Sequence, residues 1–372
     1  MKHSIRVIHY FLLAFALTSV VSVVAYVATV PARPLISDAV HSQAGWADEA
    51  SCIDCHEQAE FFSRTGHAQT LRPASDATSL EALRRVSNSP RLAAEGTRLE
   101  FDADRVFAVT GMESPGTSLA DAVRVQLDWC FGSGLHAQTW TATLLDSSGA
   151  TDQLEFRWSL YHGELVDRTP GQPTDPTDGR LGKLGVLFDG PKSARCFACH
   201  ANYVPEFQGA IDERGILPGV TCQRCHGPRQ SHVASDGEFS DPHWSSKDRL
   251  ESVHRCAQCH RRADELTAEE VTTENKAIVR FQPVGLVQSK CFTHSQMTCT
   301  TCHDPHLPPD MQELHRIDQC VQCHQPDNID HVTCGAGESS DCLRCHMPKV
   351  QMDAPVAFTD HWIRVRKDED AR

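Results

Sequence analysis

Three patterns of hydrophobic and polar residues divide this chain. The first is a charge-free run, FLLAFALTSVVSVVAYVATV, from Phe11 to Val30. A run of that length can span a bilayer as a helix. Lys2 and Arg6 precede it, and this positive flank predicts that the rest of the chain lies outside the cytoplasm. Val30-Pro31-Ala32 is a mediocre cleavage site, and the run is long for a signal peptide. Residues 1–32 are therefore expected to act as a signal peptide or, preferably, as an uncleaved transmembrane anchor.

The second pattern has period two. Val123, Val125, Leu127 and Trp129 alternate with Arg124, Gln126 and Asp128. Leu154, Phe156, Trp158 and Leu160 alternate with Glu155, Arg157 and Ser159. Such alternation reads as half-buried strands, and DSSGATD between them reads as a turn. A small β-rich insert is expected over about 101–165. TPGQPTDPTDGR, from Thr169 to Arg180, should be a loop by its Pro, Gly and Asp content.

The third pattern is fragmentary. In the second half of the chain, C-x-x-C-H stretches crowd into residues 196 to 346 and leave little room for packed secondary structure, so short helices and irregular loops are expected. ADELTAEEVTTENKAI, residues 263–278, is the clearest helix there by composition. The charged tail RKDEDAR is expected to fray. The expected organisation is a leader over 1–32, a first segment over 33–100, the β-rich insert and loop over 101–190, and a final domain over 191–372.

Composition changes this picture. The chain has 372 residues but only 4 Tyr and 6 Trp, few large side chains to fill a core of that size. Its formal net charge of −14 argues against a nucleic-acid partner and suits a soluble redox partner. It also has 17 cysteines, which in an exported chain point to disulfides or haem.

Fourteen of them fall in seven C-x-x-C-H motifs: Cys52/Cys55/His56, Cys196/Cys199/His200, Cys222/Cys225/His226, Cys256/Cys259/His260, Cys299/Cys302/His303, Cys320/Cys323/His324 and Cys342/Cys345/His346. Two thiols three positions apart can each form a thioether with one edge of a haem, and the next residue then supplies the proximal imidazole. Zinc knuckles and redox C-x-x-C pairs have no need of a histidine directly after every pair. Seven covalent haems c are expected, and they would supply the missing bulk. Cys130, Cys291 and Cys334 lie outside the motifs, and an odd remainder leaves at least one of them unpaired within the chain.

A bis-histidine haem needs a second imidazole from the opposite face. In MTCTTCHDPH, His306 follows His303 by three residues through the stiffening Pro305. So short a path cannot easily reach around the ring, so His306 is expected to ligate a different haem. The same reasoning selects His232 in CQRCHGPRQSH, and local context supports His67, His136 and His361. His41, His162, His243, His254, His294, His315 and His331 have no such support. Met347 follows the last motif on its proximal side and is read as structural. Arginines near the motifs, such as Arg195, Arg224, Arg255, Arg261 and Arg262, are candidates to pair with haem propionates.

CHGPRQSH, CTTCHDPH, CLRCHMP and the terminal DHWIRV resemble the multihaem cytochromes c of the cytochrome c-552/c-554 type, which are related to hydroxylamine oxidoreductase and pentahaem nitrite reductase. RTGHAQTL around His67 and GSGLHAQTW around His136 look like that family's distal-histidine segments. The resemblance implies a mainly α and irregular multihaem cytochrome c fold, here with a small β-rich insert and an N-terminal hydrophobic helix. It also implies stacked haem pairs, and it carries over His232, His306 and His361, with His67 and His136, as distal ligands. The chain departs from the enzymes of that group. It has no C-x-x-C-K, and outside the leader only Tyr161 and Tyr203, neither in a context that points to a catalytic role. The expected function is an extracytoplasmic electron relay between redox protein partners, either a soluble cytochrome or a membrane quinol-linked complex. The alternative is a multihaem oxidoreductase acting on a small nitrogen or sulfur species at one five-coordinate haem.

Overall fold

The fold comes from a computed structural model that describes residues 45–57, 59–111, 123–145, 151–175, 179–207, 210–239, 248–325, 341–352 and 354–366. The apolar run at 11–30 and the histidines His41, His243 and His331 lie outside these residues, as does Cys334. The side chain of His315 does too. Among the described residues, no helix is long and apolar enough to cross a membrane.

The chain divides into two compact units, one over 72–131 and 137–193 and another over 39–71, 132–136 and 194–372. The first is built on β-sheet. Strands β2 (Thr97–Asp102), β3 (Arg105–Thr110) and β4 (Val123–Leu127) form an antiparallel sheet in that order. A second sheet runs β1 (Leu71–Pro73), β5 (Trp129–Phe131), β6 (Ala137–Leu145), β7 (Thr151–Tyr161) and β8 (Leu165–Arg168). Strand β9 (Gly185–Phe188) pairs with Gln153–Phe156 of β7, and β8 pairs with Trp158–Tyr161 of the same strand.

The alternations at 123–129 and 154–160 do form strand, and their apolar positions point inward. Val123, Val125, Leu127, Leu154, Phe156, Trp158 and Leu160 share one core with Trp140. Helix Ala77–Ser87 closes that core with Leu80, Leu83 and Val86, spaced three apart on one face. Asp76 caps the helix, its carboxylate accepting from the N–H groups of Thr78 and Ser79. Buried Trp140 donates its indole N–H to Ser79 Oγ at 2.9 Å. Gly185 is required where β9 meets β7, because a Cβ there would lie 1.9 Å from the carbonyl oxygen of Glu155.

The β content is larger than the expected small insert. Strand begins at Leu71 and continues to Phe188. The early strand outside the expected range is β1, only three residues long, and most of β2, and strands that short or that close to the boundary carry little period-two signal. The described architecture is therefore mixed helix and sheet rather than mainly α.

Glu155 gives this unit a pH dependence. Burial pushes its carboxyl up to about 7, although Gln172 Nε2 donates to it at 3.1 Å and Lys192 lies near. A carboxyl with a raised folded pKa binds protons more tightly when folded, so stability falls as pH rises from about 4.5 to 7. Glu155→Gln should flatten that fall and leave the unit more stable than wild type at pH 8. Thermal melts of both proteins across that range check it, and parallel curves would refute the burial argument.

The second unit consists mostly of short helices and loops. The expected helix over 263–278 does not form. In its place are three 3₁₀ turns, Ala263–Glu265, Ala268–Glu270 and Lys276–Arg280. Side chains have captured the backbone: Glu265 accepts from the Arg262 N–H, Glu270 from Thr267 and Asn275 from Ala277. Local bonds of this kind compete with a continuous helix. Apolar clusters in this unit are small. One gathers Ile278, Val279, Phe281 and Val284, and another gathers Val253, Leu286 and Phe292.

Candidate haem-binding site

The C-x-x-C-H motifs lie on or beside single helical turns in the second unit. Helices Gly190–His200, Cys222–His226, Arg249–His260 and Cys342–His346 each end on the motif histidine. Helices Cys299–Cys302 and Glu313–Cys323 end one residue before it, and Ala50–Ile53 enters the first motif. A helical bond closes the turn in several of them, from His56 N–H to Cys52 O, His303 N–H to Cys299 O and His324 N–H to Cys320 O. One turn puts both sulfurs on one side and brings the imidazole beneath them.

The second thiol of several motifs is less enclosed than a haem-binding role leads one to expect. Cys55 and Cys345 are exposed, as are Cys225 and Cys323, whereas Cys52, Cys342, Cys222 and Cys320, the first thiols of the same motifs, are half-buried. The protein alone therefore builds no buried pocket around Cys55 or Cys345. Cys55 follows the end of helix Ala50–Ile53, and Cys345 is the next-to-last residue of helix Cys342–His346. A thioether asks only that the sulfur reach a haem edge, so the motif spacing fixes reach and leaves enclosure open.

Several motif histidines face a histidine from elsewhere in the chain. His56 faces His232 with ring centroids 6.3 Å apart and planes inclined 23°. His226 faces His306 at 6.2 Å and 21°, and His303 faces His361 at 6.1 Å and 29°. His67 faces His260 at 6.0 Å, but there the planes are nearly perpendicular, at 84°. Two imidazole nitrogens on one iron, each bonded at about 2 Å, with half a ring beyond each, put the centroids roughly 6 Å apart. The pairs thus fit an iron between them.

The tautomers fit as well. Nδ1 of His232 donates to Phe239 O at 3.0 Å, that of His361 to Thr359 O at 2.9 Å and that of His346 to Arg364 O at 3.1 Å. Nδ1 of His200 meets Thr70 O at 3.1 Å and Thr70 Oγ1 at 2.7 Å, and Nδ1 of His306 meets Asp304 Oδ1 at 2.9 Å. Each bond ties up Nδ1 and leaves Nε2 as the lone-pair donor, the usual arrangement of a metal-ligating histidine.

Burial favours the neutral ring, the state that ligation needs, at several of the candidate histidines. It lowers the pKa of His67, His200 and His361 and takes His260 and His303 down to about 4, helped by neighbouring histidines in the last two. Yet His67, His260 and His303 keep exposed surface although protein crowds around them. They line space rather than fill it.

Local structure anchors the facing residues. The His67 carbonyl accepts from Val220 N–H at 2.9 Å. Gly219, at φ +78°, makes that approach, since a Cβ there would lie 2.3 Å from the Ala68 carbonyl oxygen. His361 follows the hairpin Lys349–Gln351/Ala357–Thr359, and the buried Asp360 beside it accepts from Trp362 N–H and Arg364. His136 sits exposed in the loop 132–136, and His324 is exposed at the end of its helix.

Thiols of different motifs also adjoin. Cys52 lies against Cys222, with the Glu49 carboxylate, and these three ligand atoms fall within 4.8 Å of one another. Cys199 lies against Cys259, and Cys256 against Cys299. Sequence reading missed Glu49, which is also held by Asn202, Thr221 and Gln223. Its partners are remote in sequence, so no local signal marks it. Several motif arginines have protein partners instead of being free for propionates. Arg261 pairs with Glu265 at 2.9 Å and Arg255 with Glu251 at 2.7 Å, while Arg195 and Arg262 meet Glu265 and Asp264. Outside the motifs, Cys130 is fully buried beside Gln138, and burial pushes its thiol pKa up.

Residues 183–227 match the family model of cytochrome c554 and c-prime. No curated protein matches the sequence. The outer cell wall cytochrome OcwA is a similar solved structure at 16% identity and TM-score 0.48, covering 86% of this chain and 80% of that one. An undecaheme cytochrome from the S-layer of Carboxydothermus ferrireducens is similar at 13% identity and TM-score 0.42, covering 91% of this chain and 53% of that one, so this chain spans about half its length. The matched segment holds the second and third C-x-x-C-H motifs, and with its repeated motifs for covalent haem c the chain is a multihaem c-type cytochrome.

Proposed function

We propose that this chain is an extracytoplasmic electron-transfer protein that holds seven covalent haems c, with most or all irons ligated by two histidines. The observation that carries the reading is the set of facing histidine pairs at 6.0 to 6.3 Å. An iron held between two imidazoles has no open position for substrate, whereas an inner-sphere metal catalyst needs one. Bound haem c supplies a one-electron Fe(III)/Fe(II) couple. Its irons would be held by His56 with His232, His260 with His67, His226 with His306 and His303 with His361, while His200, His324 and His346 would each hold one more, with His136 as a further candidate. The adjoining thiols support close spacing of motif one to three, two to four, and four to five. Motif four is then a junction.

Residues 1–32 serve as the export signal or anchor, and a soluble cytochrome or a membrane quinol-linked complex is the redox partner. The intact mass of the purified protein, after acid–acetone extraction, should exceed the mature polypeptide by seven haem masses. The oxidised spectrum should be dominantly low-spin. Nitrite, hydroxylamine, nitric oxide and sulfite should leave it unshifted, and a soluble cytochrome should reoxidise the reduced protein faster than any of them. Four or five haem masses would sink the count. A stoichiometric high-spin haem that binds one of those molecules and turns it over would replace the relay with an enzyme.

A further inference from the structure

Asp304 stands between His303 and His306 in CHDPH. One oxygen of its carboxylate, Oδ1, accepts two hydrogen bonds at 2.9 Å, one from the His306 backbone N–H and one from His306 Nδ1. His232, His361 and His346 give the same ring proton to neutral backbone carbonyls. His306 gives it to a charged group. The bond to the backbone alone would be an ordinary Asx turn ahead of a loop. The bond to the ring is not part of that turn, and it fixes both the tautomer and the rotation of the imidazole.

We propose that Asp304 is a positioning residue for His306, holding it as the Nδ1–H tautomer and making its Nε2 a stronger donor, so that the haem between His226 and His306 has a lower potential than a carbonyl partner would give it. The proposal rests on the reading of His306 as an axial ligand. A carboxylate behind a ligating imidazole raises its basicity. A more basic ligand, and a negative charge nearby, both favour the more positive, ferric state of the iron. Asp304 and His306 are each 42% exposed, so solvent screens part of the direct charge effect. The effect through the bonded ring is not screened in that way.

The test uses the full holoprotein, with wild type compared with Asp304→Asn, Asp304→Ala and His306→Ala. Haem content is counted by pyridine haemochrome, spin state by low-temperature electron paramagnetic resonance and potentials by optical redox titration. Asparagine is nearly isosteric, and its amide oxygen still accepts both bonds, so Asp304→Asn removes the charge and keeps the geometry. It should retain full haem content and low-spin iron while one reductive transition moves to higher potential and the others stay in place. Asp304→Ala should move the same transition the same way and also alter the g values of that one low-spin signal, as the ring loses its anchor. His306→Ala should convert one iron to high-spin. If that conversion occurs but Asp304→Asn titrates like wild type, Asp304 only shapes the turn and the inference fails while the ligation stands. If His306→Ala stays fully low-spin, the ligation reading fails first.

Discussion

Glu95→Ala should destabilise the β-rich unit by about 3–5 kcal/mol. The cause is Arg157, whose side chain is only 1% exposed. Its Nε donates to Glu95 Oε2 at 2.8 Å, and another of its nitrogens reaches Thr174 O at 3.0 Å. Arg168 completes the cluster, donating to Glu95 Oε1 at 2.6 Å. Burial alone would raise the Glu95 carboxyl pKa, but hydrogen bonds and charge from Arg168 and Arg157 override it and hold the group below its ordinary range. The contribution is therefore present above the unfolded carboxyl pKa and is lost as pH falls through the folded one. Removing Glu95 leaves a guanidinium buried without its counter-charge. At pH 7, amide exchange in β7 should speed up by roughly two to three powers of ten if it reports unfolding of this unit. Glu95→Leu with Arg157→Met should recover much of the loss, because well-packed apolar replacements of buried ion pairs are often tolerated. Equal protection in wild type and Glu95→Ala would show that the pair contributes nothing.

His67→Ala should abolish one distinctive electron paramagnetic resonance signal and create a high-spin one, with haem content unchanged. Three of the facing pairs have planes within 29° of each other, while His67 and His260 stand at 84°. Ligand planes that run parallel split the two π-type d orbitals of low-spin iron, and perpendicular planes leave them nearly equal. The perpendicular pair should therefore give a signal with a much larger maximum g value than the other three. Cys256 and Cys259 keep the haem attached when His67 is lost, so the count is a control against misfolding. A wild-type spectrum with no large-g species would contradict the geometry of this pair. A large-g signal that survives His67→Ala would assign it to another haem.

The motifs were legible because their chemistry is local: three residues, two Cys and one His, at fixed spacing on one helical turn. How far each thiol is enclosed was not, since Cys55 and Cys345 share the spacing of their half-buried partners and differ only in facing outward. Chain geometry over three residues led to the expectation that His306 serves a haem other than its neighbour's, and the structure sets its ring opposite His226. Which histidine faces which was not legible. His67 and His260, or His56 and His232, are brought together by the fold, and no residue beside either one encodes the other. The alternating strands around Trp129 and Trp158 stood out because one face is apolar and the other polar. Strand β1 did not, because it is only three residues long. The segment 263–278 misled because helix propensity describes side chains that leave the backbone alone, and Glu265, Glu270 and Asn275 do the opposite.

The adjoining thiols bear on how the protein must be made. Cys52 and Cys222 come within 4.8 Å, and both are free thiols until haem is attached. In an oxidising compartment a chain that reached this fold too early could oxidise them to a bridge between two motifs. That bridge would take one attachment sulfur from each of two haems at once. Cys199 with Cys259 and Cys256 with Cys299 carry the same hazard. Were haem attached in such a compartment, maturation would favour an order in which each motif receives its haem while the chain is still open, before distant segments close on one another. On this view the finished packing depends on the sequence of its own biogenesis.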